Sequence, residues 1–291
     1  MDGQKKSIED LVRAMHRVRR PGSVGKADFD RGRRFCYKSV RGSFDHRPQG
    51  VRMKPLGIIS GTVLLQGKGI FTDLREETIE TEFGSATLFC SPEIVFIARH
   101  GTEPRRHILP HLINHKANLA AMKERGVREI LGIHSTGALK RRLKPGTLVV
   151  PDDYILLGSG PTVVRDKATH IVPVLSAEVR RKWLEAARDC GVNCIDGGIY
   201  WQTAGPRFET RAEIAMMSQF ADLVGMTMAS EAVIAQELEI PYASFCSVDN
   251  FAHGLEDKAL TLEKILWHAR QNTEATLRVL TRYIERDRQP T

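Results

Sequence analysis

The pattern of apolar and polar residues changes near residue 55. From residue 56 onward, short runs rich in β-branched and aromatic residues alternate with stretches whose apolar residues recur every three or four positions. The first kind of run predicts buried β-strands and the second predicts amphipathic helices. The predicted strands are LGIIS, ATLFC, EIVFIARHG, REILGIHS, GTLVVPDDYILL, ADLVGM and YASFCSV, and the predicted helices are HKANLAAMKERG, SAEVRRKWLEAARDCG, SEAVIAQELEI and roughly residues 260–286.

Strands that alternate with helices are typical of α/β proteins. We therefore predict one domain over residues 56–288, a layered α/β/α structure around a central mixed, largely parallel sheet. Residues 1–55 are predicted to form a basic N-terminal extension that is partly irregular. Within it, SIEDLVRAMHRV begins with a capping box and predicts a short helix, whereas residues 17–53 are rich in Arg, Gly and Ser and show little periodicity.

The net charge of +8 changes this picture only at the N-terminus. Residues 1–50 contain 13 Lys and Arg against 6 Asp and Glu, so the other 241 residues are nearly neutral. A basic arm could bind RNA or an acidic surface, but such arms are more commonly solvated or packed on a neighbouring subunit. We therefore do not expect nucleic acid to be the main partner.

The sequence also argues against a membrane or secreted protein. No stretch approaches 18 consecutive apolar residues, and the first residues, MDGQKKSIEDL, lack the apolar segment of a secretion signal. Most of the five cysteines lie in apolar runs, which predicts reduced thiols in a cytoplasmic protein. Cys190 and Cys194 have no second Cys or His pair at matching spacing, so we expect no metal.

Candidate chemistry follows the predicted strands. In open α/β sheets, ligands bind beyond the carboxyl ends of the strands. Backbone N–H groups, hydroxyls and a guanidinium are all donors, so their convergence there predicts an oxyanion site suited to free phosphate. The absence of a Walker lysine motif, a GxGxxG and a GxSxG argues against nucleoside triphosphates, dinucleotides and a serine hydrolase. The groups that follow the strands are Gly61-Thr62, Arg99-His100-Gly101, His134-Ser135-Thr136-Gly137, Met226-Thr227 and Asp249-Asn250.

Five segments carry a resemblance to a known family. GIISGT, FIARHG, AGPRFETRAEI, VGMTMASEAVIAQEL and YASFCSVDN resemble motifs of the purine nucleoside phosphorylase and methylthioadenosine phosphorylase family, in the family's order, over about residues 56–286. The resemblance implies a homotrimer that cleaves the N-glycosidic bond of a nucleoside. It implies inorganic phosphate as co-substrate and no metal or organic cofactor.

The resemblance also implies roles for individual residues. Asn250, Glu209 and His100 are the expected catalytic residues, and His170 belongs to the segment that would reach into a neighbouring subunit's site. The residues that resemble phosphate ligands are Thr62, Arg99, His100, Ser135 and Thr227. The residues that resemble nucleoside ligands are Phe208, Glu209, Met226, Asn250, Leu262, Leu266 and His170.

Glu209 and Asn250 together indicate which base is accepted. A 6-oxopurine presents acceptors at N7 and O6 and a donor at N1–H, which suit an amide and a carboxylate respectively. Adenine presents a donor at N6 and an acceptor at N1, so it would favour a protonated Asp and would be repelled by a carboxylate. The pair therefore predicts hypoxanthine or guanine as the base.

The start of the last helix indicates what lies at the 5′ position of the sugar. Leu262 and Leu266 would form an apolar wall, which suits a methylthio group and leaves a hydroxyl unpaired. Both leucines could equally be core residues of an amphipathic helix. The two inferences together favour S-methyl-5′-thioinosine or a similar nucleoside. Inosine, guanosine and methylthioadenosine remain alternatives, as does a non-catalytic nucleoside- or RNA-binding protein.

Two residues depart from the family's usual pattern. Val63 stands in the first phosphate loop where a glycine is usual, and a glycine lets the backbone approach the anion. His134 stands where Thr or Asn is usual, and its ring could aid phosphate binding when protonated or reshape the pocket.

Overall fold

The computed structural model describes most of the chain beyond residue 53. The described residues are 54–61, 64, 70–71, 73–102, 106–166, 168, 170–256 and 262–288, without the side chains of 262–264 and 266. Residues 1–53 of the predicted N-terminal extension, together with Thr62 and Val63, therefore lie outside the described residues. The side chains of Leu262 and Leu266 do so as well, and the limits predicted for the domain stay a prediction.

The strands of the described residues belong to one mixed sheet. Its continuous order is β2-β3-β4-β1-β5-β10-β9-β7, and β11, β6 and β8 branch from β5. In chain order the strands are β1 (Leu56–Ser60), β2 (Arg75–Thr81), β3 (Gly84–Cys90), β4 (Ile94–Ala98), β5 (Ile130–Ala138), β6 (Leu148–Val150), β7 (Asp153–Leu156), β8 (Cys194–Asp196), β9 (Ile199–Gln202), β10 (Leu223–Gly225) and β11 (Tyr242–Phe251).

Strand β5 is the centre of the sheet. Along one edge it pairs in parallel with β11 over its whole length. Along the other edge its first residues pair in parallel with β1, and its last two pair antiparallel with β10. Among the described strand pairs, six are parallel and four antiparallel, so the predicted mixed, largely parallel sheet is confirmed.

Helices cover both faces of the sheet. Strand β4 shows why: Val95 and Ile97 enter one apolar cluster, whereas the alternate residues Ile94 and Phe96 enter another. The first cluster receives residues of α1 and α4, and the second receives residues of α2 and α5. The α/β/α layering is therefore also confirmed. The helices are α1 (His115–Glu124), α2 (Ala177–Asp189), α3 (Arg211–Phe220), α4 (Met228–Glu237) and α5 (Leu262–Asp287).

Polar residues fix where the helices begin. The hydroxyl of Ser176 accepts from the backbone N–H of Val179 at the start of α2. At α3, Thr210 and Glu213 form a capping box in which each side chain accepts from the other residue's backbone N–H. Helix α3 and strands β2, β8 and β9 were not among the predicted elements. No helix of the described residues is long and apolar enough to cross a membrane.

Candidate active site

A cavity of about 420 Å³ lies beyond the carboxyl ends of β1, β4, β5, β10 and β11 and beneath α5. The cavity is open to solvent at Ser135, which lines it and is the one exposed residue of β5. The structure brings eight of the predicted site residues to this cavity. They are Arg99, His100, Ser135, Phe208, Glu209, Met226, Thr227 and Asn250.

The other predicted site residues are not placed there. His170 is exposed and is not among the residues that line the cavity of its own chain. Thr62 and the side chains of Leu262 and Leu266 lie outside the described residues. Among the described side chains of α5, Ile265 and Ala269 contribute apolar lining.

Arg99 is held by the protein on nearly every side. Its Nε donates to Glu231 Oε1 at 2.6 Å, and Nη2 donates to Glu231 Oε2 at 3.3 Å. Nη1 and Nη2 also donate to the backbone oxygens of Ile133 and Ile59 at 2.8 and 2.9 Å. Since a guanidinium has five N–H donors, these four bonds leave one for a ligand. Arg99 therefore offers the cavity a charge that Glu231 largely compensates.

A chain of hydrogen bonds connects this ion pair to Thr227. Tyr242 Oη donates to Glu231 Oε2 at 3.0 Å and lies 2.9 Å from His134 Nε2. His134 Nδ1 lies 2.9 Å from Thr227 Oγ1. Gly132 makes this arrangement possible, because a Cβ atom there would lie 2.0 Å from Tyr242 Oη. Burial, followed by the charge of Arg99, holds the pKa of His134 well below its usual range, so the ring is neutral.

Thr227 is the residue before α4, yet its side chain does not cap that helix. The phenol of Tyr200 caps the helix instead, by accepting from the backbone N–H groups of Thr227 and Met228 at 3.3 and 3.4 Å. The Thr227 hydroxyl is therefore left to face His134 and the cavity. Gly225 leaves room for Tyr200, because a Cβ there would lie 2.3 Å from the phenol oxygen.

His100 is neutral as well, and its proton can be located. Nδ1 lies 2.8 Å from the backbone oxygen of Ile108, which can only accept, so Nδ1 carries the hydrogen. Burial, then the charge of Arg99, lowers the pKa of His100 to about 4. The ring stacks on His107 with centroids 4.7 Å apart. His100 Nε2 is therefore a lone-pair acceptor at neutral pH.

Glu209 and Asn250 also line the cavity. Glu209 is 7% exposed and accepts from the Thr203 hydroxyl at 2.6 Å, which leaves its second oxygen for a ligand. Asn250 donates one amide N–H to the backbone oxygen of Phe251 at 2.9 Å. One amide N–H of Asn250 therefore remains for the base, rather than the two that the sequence argument assigned to it.

Asp249 fixes the position of Asn250. The pairing of β11 with β5 shifts register between Val248 and Asn250, so Asp249 is the extra residue of a β-bulge. Its buried carboxylate accepts from Ser247 at 3.1 Å and from Asn272 at 2.8 Å. Burial raises its pKa, and the hydrogen bonds from Ser135, Asn272 and Ser247 oppose that rise. Asp249 therefore has a structural role: its hydrogen bonds to Ser247 and Asn272 hold the bulge that precedes Asn250.

Sequence reasoning assigned no role to Glu231 or Tyr242. Glu231 had a detectable signal, since it is a lone acid within the apolar stretch MASEAVIA. Tyr242 had none, because a tyrosine at the start of a buried strand is ordinary core material. Their connection to Arg99 and His134 depends on packing between distant segments.

The comparisons of the sequence with known proteins agree on the family. Residues 55–285 match the sequence model of the Phosphorylase superfamily. A protein of Archaeoglobus fulgidus named "Probable 6-oxopurine nucleoside phosphorylase" is 39% identical over 236 residues, which cover 79% of this chain and 96% of that protein. A protein of Methanocaldococcus jannaschii named "Probable S-methyl-5'-thioinosine phosphorylase" is 36% identical over 240 residues, which cover 79% and 91%.

A solved structure has a similar fold. It is a methylthioadenosine phosphorylase sourced from an antarctic soil metagenomic library, with a TM-score of 0.71 and 28% sequence identity. The match covers 82% of this chain and 89% of that one.

Proposed function

The chain belongs to the Phosphorylase superfamily, and we propose that it is a pentosyltransferase that cleaves the N-glycosidic bond of a purine nucleoside with inorganic phosphate. The products are the free base and the sugar 1-phosphate. One observation carries the proposal: a single cavity is lined both by Arg99, Ser135 and Thr227 and by the Glu209–Asn250 pair. The first group suits an oxyanion and the second suits a purine.

The mechanism follows from these two groups of residues. Phosphate lies on one face of the ribose and the base departs from the other, through a state in which C1′ carries positive charge. The bound anion stabilises that charge, while donors at the base take up the negative charge of the leaving purine. Asn250 acts through a hydrogen bond, because an amide does not give up a proton as a carboxylic acid does.

The base is a 6-oxopurine in this proposal. Glu209 keeps one carboxylate oxygen for a ligand N1–H, and Asn250 keeps one amide N–H for N7 or O6. The two relatives described above are both named for nucleosides of 6-oxopurines, since thioinosine carries hypoxanthine. An adenine would place its N1 lone pair against the Glu209 carboxylate.

The 5′ substituent is apolar in this proposal. Ile265 and Ala269 of α5 line the cavity, as does Leu64, and these side chains offer methyl groups to a 5′ substituent. A methylthio group is stabilised by such a surface, whereas a 5′-hydroxyl would lose its hydrogen bonds to water. S-methyl-5′-thioinosine combines both preferences. Phosphate is the co-substrate, and we propose that no metal or organic cofactor takes part.

The substrate assay follows base release from methylthioinosine, inosine, guanosine and methylthioadenosine, with and without phosphate. We expect phosphate-dependent release of hypoxanthine from methylthioinosine to be the fastest. Preference for methylthioadenosine would contradict the base assignment, and preference for inosine would contradict the apolar 5′ wall. No release from any of the four would contradict the proposed function.

The Glu209→Gln variant tests the base assignment directly. Loss of the charged acceptor should lower kcat/KM for methylthioinosine by roughly 10- to 100-fold, with little effect on KM for phosphate. Glu124→Gln is the matched control, because Glu124 is exposed on α1, does not line the cavity and should leave both constants unchanged. Equal losses in the two variants would argue against a role for Glu209 at the base.

We further propose a cytoplasmic homotrimer that acts in purine salvage, in which His170 reaches the cavity of a neighbouring subunit. The support is the exposed apolar surface of the same region, where Val172 and Val174 are 78% and 62% exposed. The four described cysteines are free thiols, in keeping with a reducing compartment. Sedimentation equilibrium that gives a monomer would contradict the assembly, and recovery of the protein in a secreted fraction would contradict the compartment.

A further inference from the structure

The direction of each hydrogen bond between Arg99 and Thr227 can be derived from its partners. Glu231 is paired with Arg99 at 2.6 Å, and a carboxylate in that position accepts from the hydroxyl of Tyr242 rather than donating to it. Burial and the neighbouring Glu231 raise the pKa of Tyr242, so the phenol keeps its proton. That single proton is directed to Glu231. The phenol oxygen must therefore accept from His134.

The protonation state of the His134 imidazole fixes the direction of its hydrogen bond with Thr227. A neutral His134 has one N–H, and Tyr242 requires it on Nε2. Nδ1 is then a lone pair, and at 2.9 Å it accepts the hydrogen of the Thr227 hydroxyl. With its proton committed to His134, Thr227 can offer only oxygen lone pairs to a ligand in the cavity.

His100 presents a second acceptor to the same part of the cavity. Its Nδ1–H is donated to the backbone oxygen of Ile108, and its Nε2 carries the lone pair. The Cδ2 atom beside Nε2 is the one that a Cβ at Gly61 would approach, at 3.9 Å, and Gly61 and His100 both line the cavity. Two acceptors beside an anion-binding arginine are unfavourable for any anion that has no hydrogen to donate.

We propose that this pocket recognises the proton of the anion: it binds hydrogen phosphate, whose P–OH donates to Thr227 Oγ1 or His100 Nε2, and it rejects sulfate. The inference rests on the proposed function in one respect only: the part of the cavity formed by Arg99, Ser135 and Thr227 is taken as the phosphate site. Glu231, Tyr242 and His134 are positioning residues, because they act through the Thr227 hydroxyl without touching the anion. His134, the departure from the family's usual pattern, sets the polarity of that hydroxyl.

The charges around the pocket do not distinguish two dianions of equal charge, so the selectivity rests on the hydrogen bonds. The Arg99 guanidinium is compensated by Glu231, so the described lining offers a dianion no uncompensated guanidinium or ammonium. The titratable and charged groups that surround this end of the cavity are Arg99 and His100 after β4, His107, His115 of α1, His134 of β5, Tyr200 of β9, Glu231 of α4, and Tyr242, Cys246 and Asp249 of β11.

Sulfate is a sharp probe because at pH 8 it is a dianion of the same shape and charge as the main form of phosphate, but without a hydrogen. Binding of phosphate, arsenate and sulfate to the full chain is measured by titration calorimetry at pH 8 and constant ionic strength. Arsenate, which is also protonated, should bind like phosphate. Sulfate should bind roughly 10- to 100-fold more weakly, the penalty for leaving a buried acceptor against an anion.

Two variants release the Thr227 proton from His134 by different routes. In Glu231→Gln the amide can accept from Arg99 and donate to Tyr242, which turns every later hydrogen bond around and makes Thr227 a donor. In His134→Ala the imidazole is absent, and with it the Nδ1 lone pair that holds the Thr227 proton. In both variants the dissociation constants for sulfate and phosphate should come within about threefold of each other. Glu237→Gln, on the same helix, should keep the wild-type ratio.

The ratio of the two dissociation constants separates this role from a general structural one, because a loosened pocket would weaken both anions together. Sulfate binding within about threefold of phosphate in the wild-type protein would overturn the proposal. A wild-type ratio retained in whichever of the two variants folds would overturn it too. Phosphate selectivity without base release from any nucleoside would uphold it and contradict the proposed function, whereas base release with sulfate as an equal competitor would do the reverse.

Discussion

At the scale of the residue, buried histidines near the Arg99 guanidinium make the free energy of unfolding depend on pH. His115, the first residue of α1, is 8% exposed, and burial followed by the charge of Arg99 lowers its pKa to about 3. An unfolded histidine titrates near 6.5, so between these values the unfolded state binds a proton that the folded state does not. The free energy of unfolding contributed by His115 must therefore fall as the pH is lowered.

The His115→Gln variant should lack this contribution. Between pH 7 and pH 5, the wild type should lose about 2 kcal/mol more of its free energy of unfolding than the variant does. Urea unfolding of both proteins at the two pH values measures the difference. His111→Gln, at an exposed histidine a few residues earlier, should follow the wild type. Parallel losses in the wild type and His115→Gln would show that His115 is not held neutral.

The sequence allowed single residues of the site to be predicted better than their connections. Arg99, Glu209 and Asn250 were found because each follows a recognisable strand or motif. The partner of Arg99 is Glu231, 132 positions away, and only packing between distant segments brings them together. His134 was noted as unusual, but its protonated nitrogen follows from Tyr242, whose position across the sheet no local pattern predicts.

At the scale of the element, the start of α3 connects helix capping to the site. Thr210 and Glu213 form the capping box, and Glu209, which immediately precedes the cap, lines the cavity. Thr210→Ala should lower the free energy of unfolding by about 1 kcal/mol and raise KM for the nucleoside severalfold, because the segment that holds Glu209 loses its anchor. KM for phosphate should remain unchanged. Urea unfolding and steady-state kinetics measure the two effects.

Ser176→Ala is the matched control, since Ser176 caps α2 through the same kind of hydrogen bond and does not line the cavity. It should lower the free energy of unfolding by a similar amount, about 1 kcal/mol, and leave both KM values unchanged. If both variants changed KM for the nucleoside alike, lost stability rather than the position of Glu209 would be the cause.

The elements that could be predicted are those with a strong apolar period or many apolar residues. Helices α2 and α5 have such a period, and α1 and α4 were identified from their many apolar residues. Most of the buried strands are apolar runs, but the buried strand β9 is only four residues long and was not predicted. Strand β2 was not predicted either, because in REETIET no residue is fully buried, and the strand lies at one end of the sheet order. Helix α3 buries only Ile214 and Met217, which is too narrow a stripe to identify it. The bulge at Asp249 depends on the register with β5 and has no local signal.

At the scale of the whole molecule, the cavity is assembled from a long span of the chain. Its described lining runs from Ser60 at the end of β1 to Thr276 in α5, and it combines the ends of strands, the segments that follow them and one helix. This explains why composition and net charge indicated so little about function: the excess of basic residues lies before residue 51, and the chemistry lies after it.

Removal of residues 1–53 tests whether the basic extension takes part in that chemistry. Every described residue that lines the cavity lies after residue 59, so KM for nucleoside and phosphate and kcat should each stay within about twofold of the full chain. Steady-state kinetics on methylthioinosine measure this, with sedimentation equilibrium on both proteins to compare their assembly. Lost activity with unchanged assembly would place the extension at the site. Lost activity together with lost assembly would make it a subunit contact, and RNA binding that disappears with the extension while kinetics persist would give the basic arm a separate role.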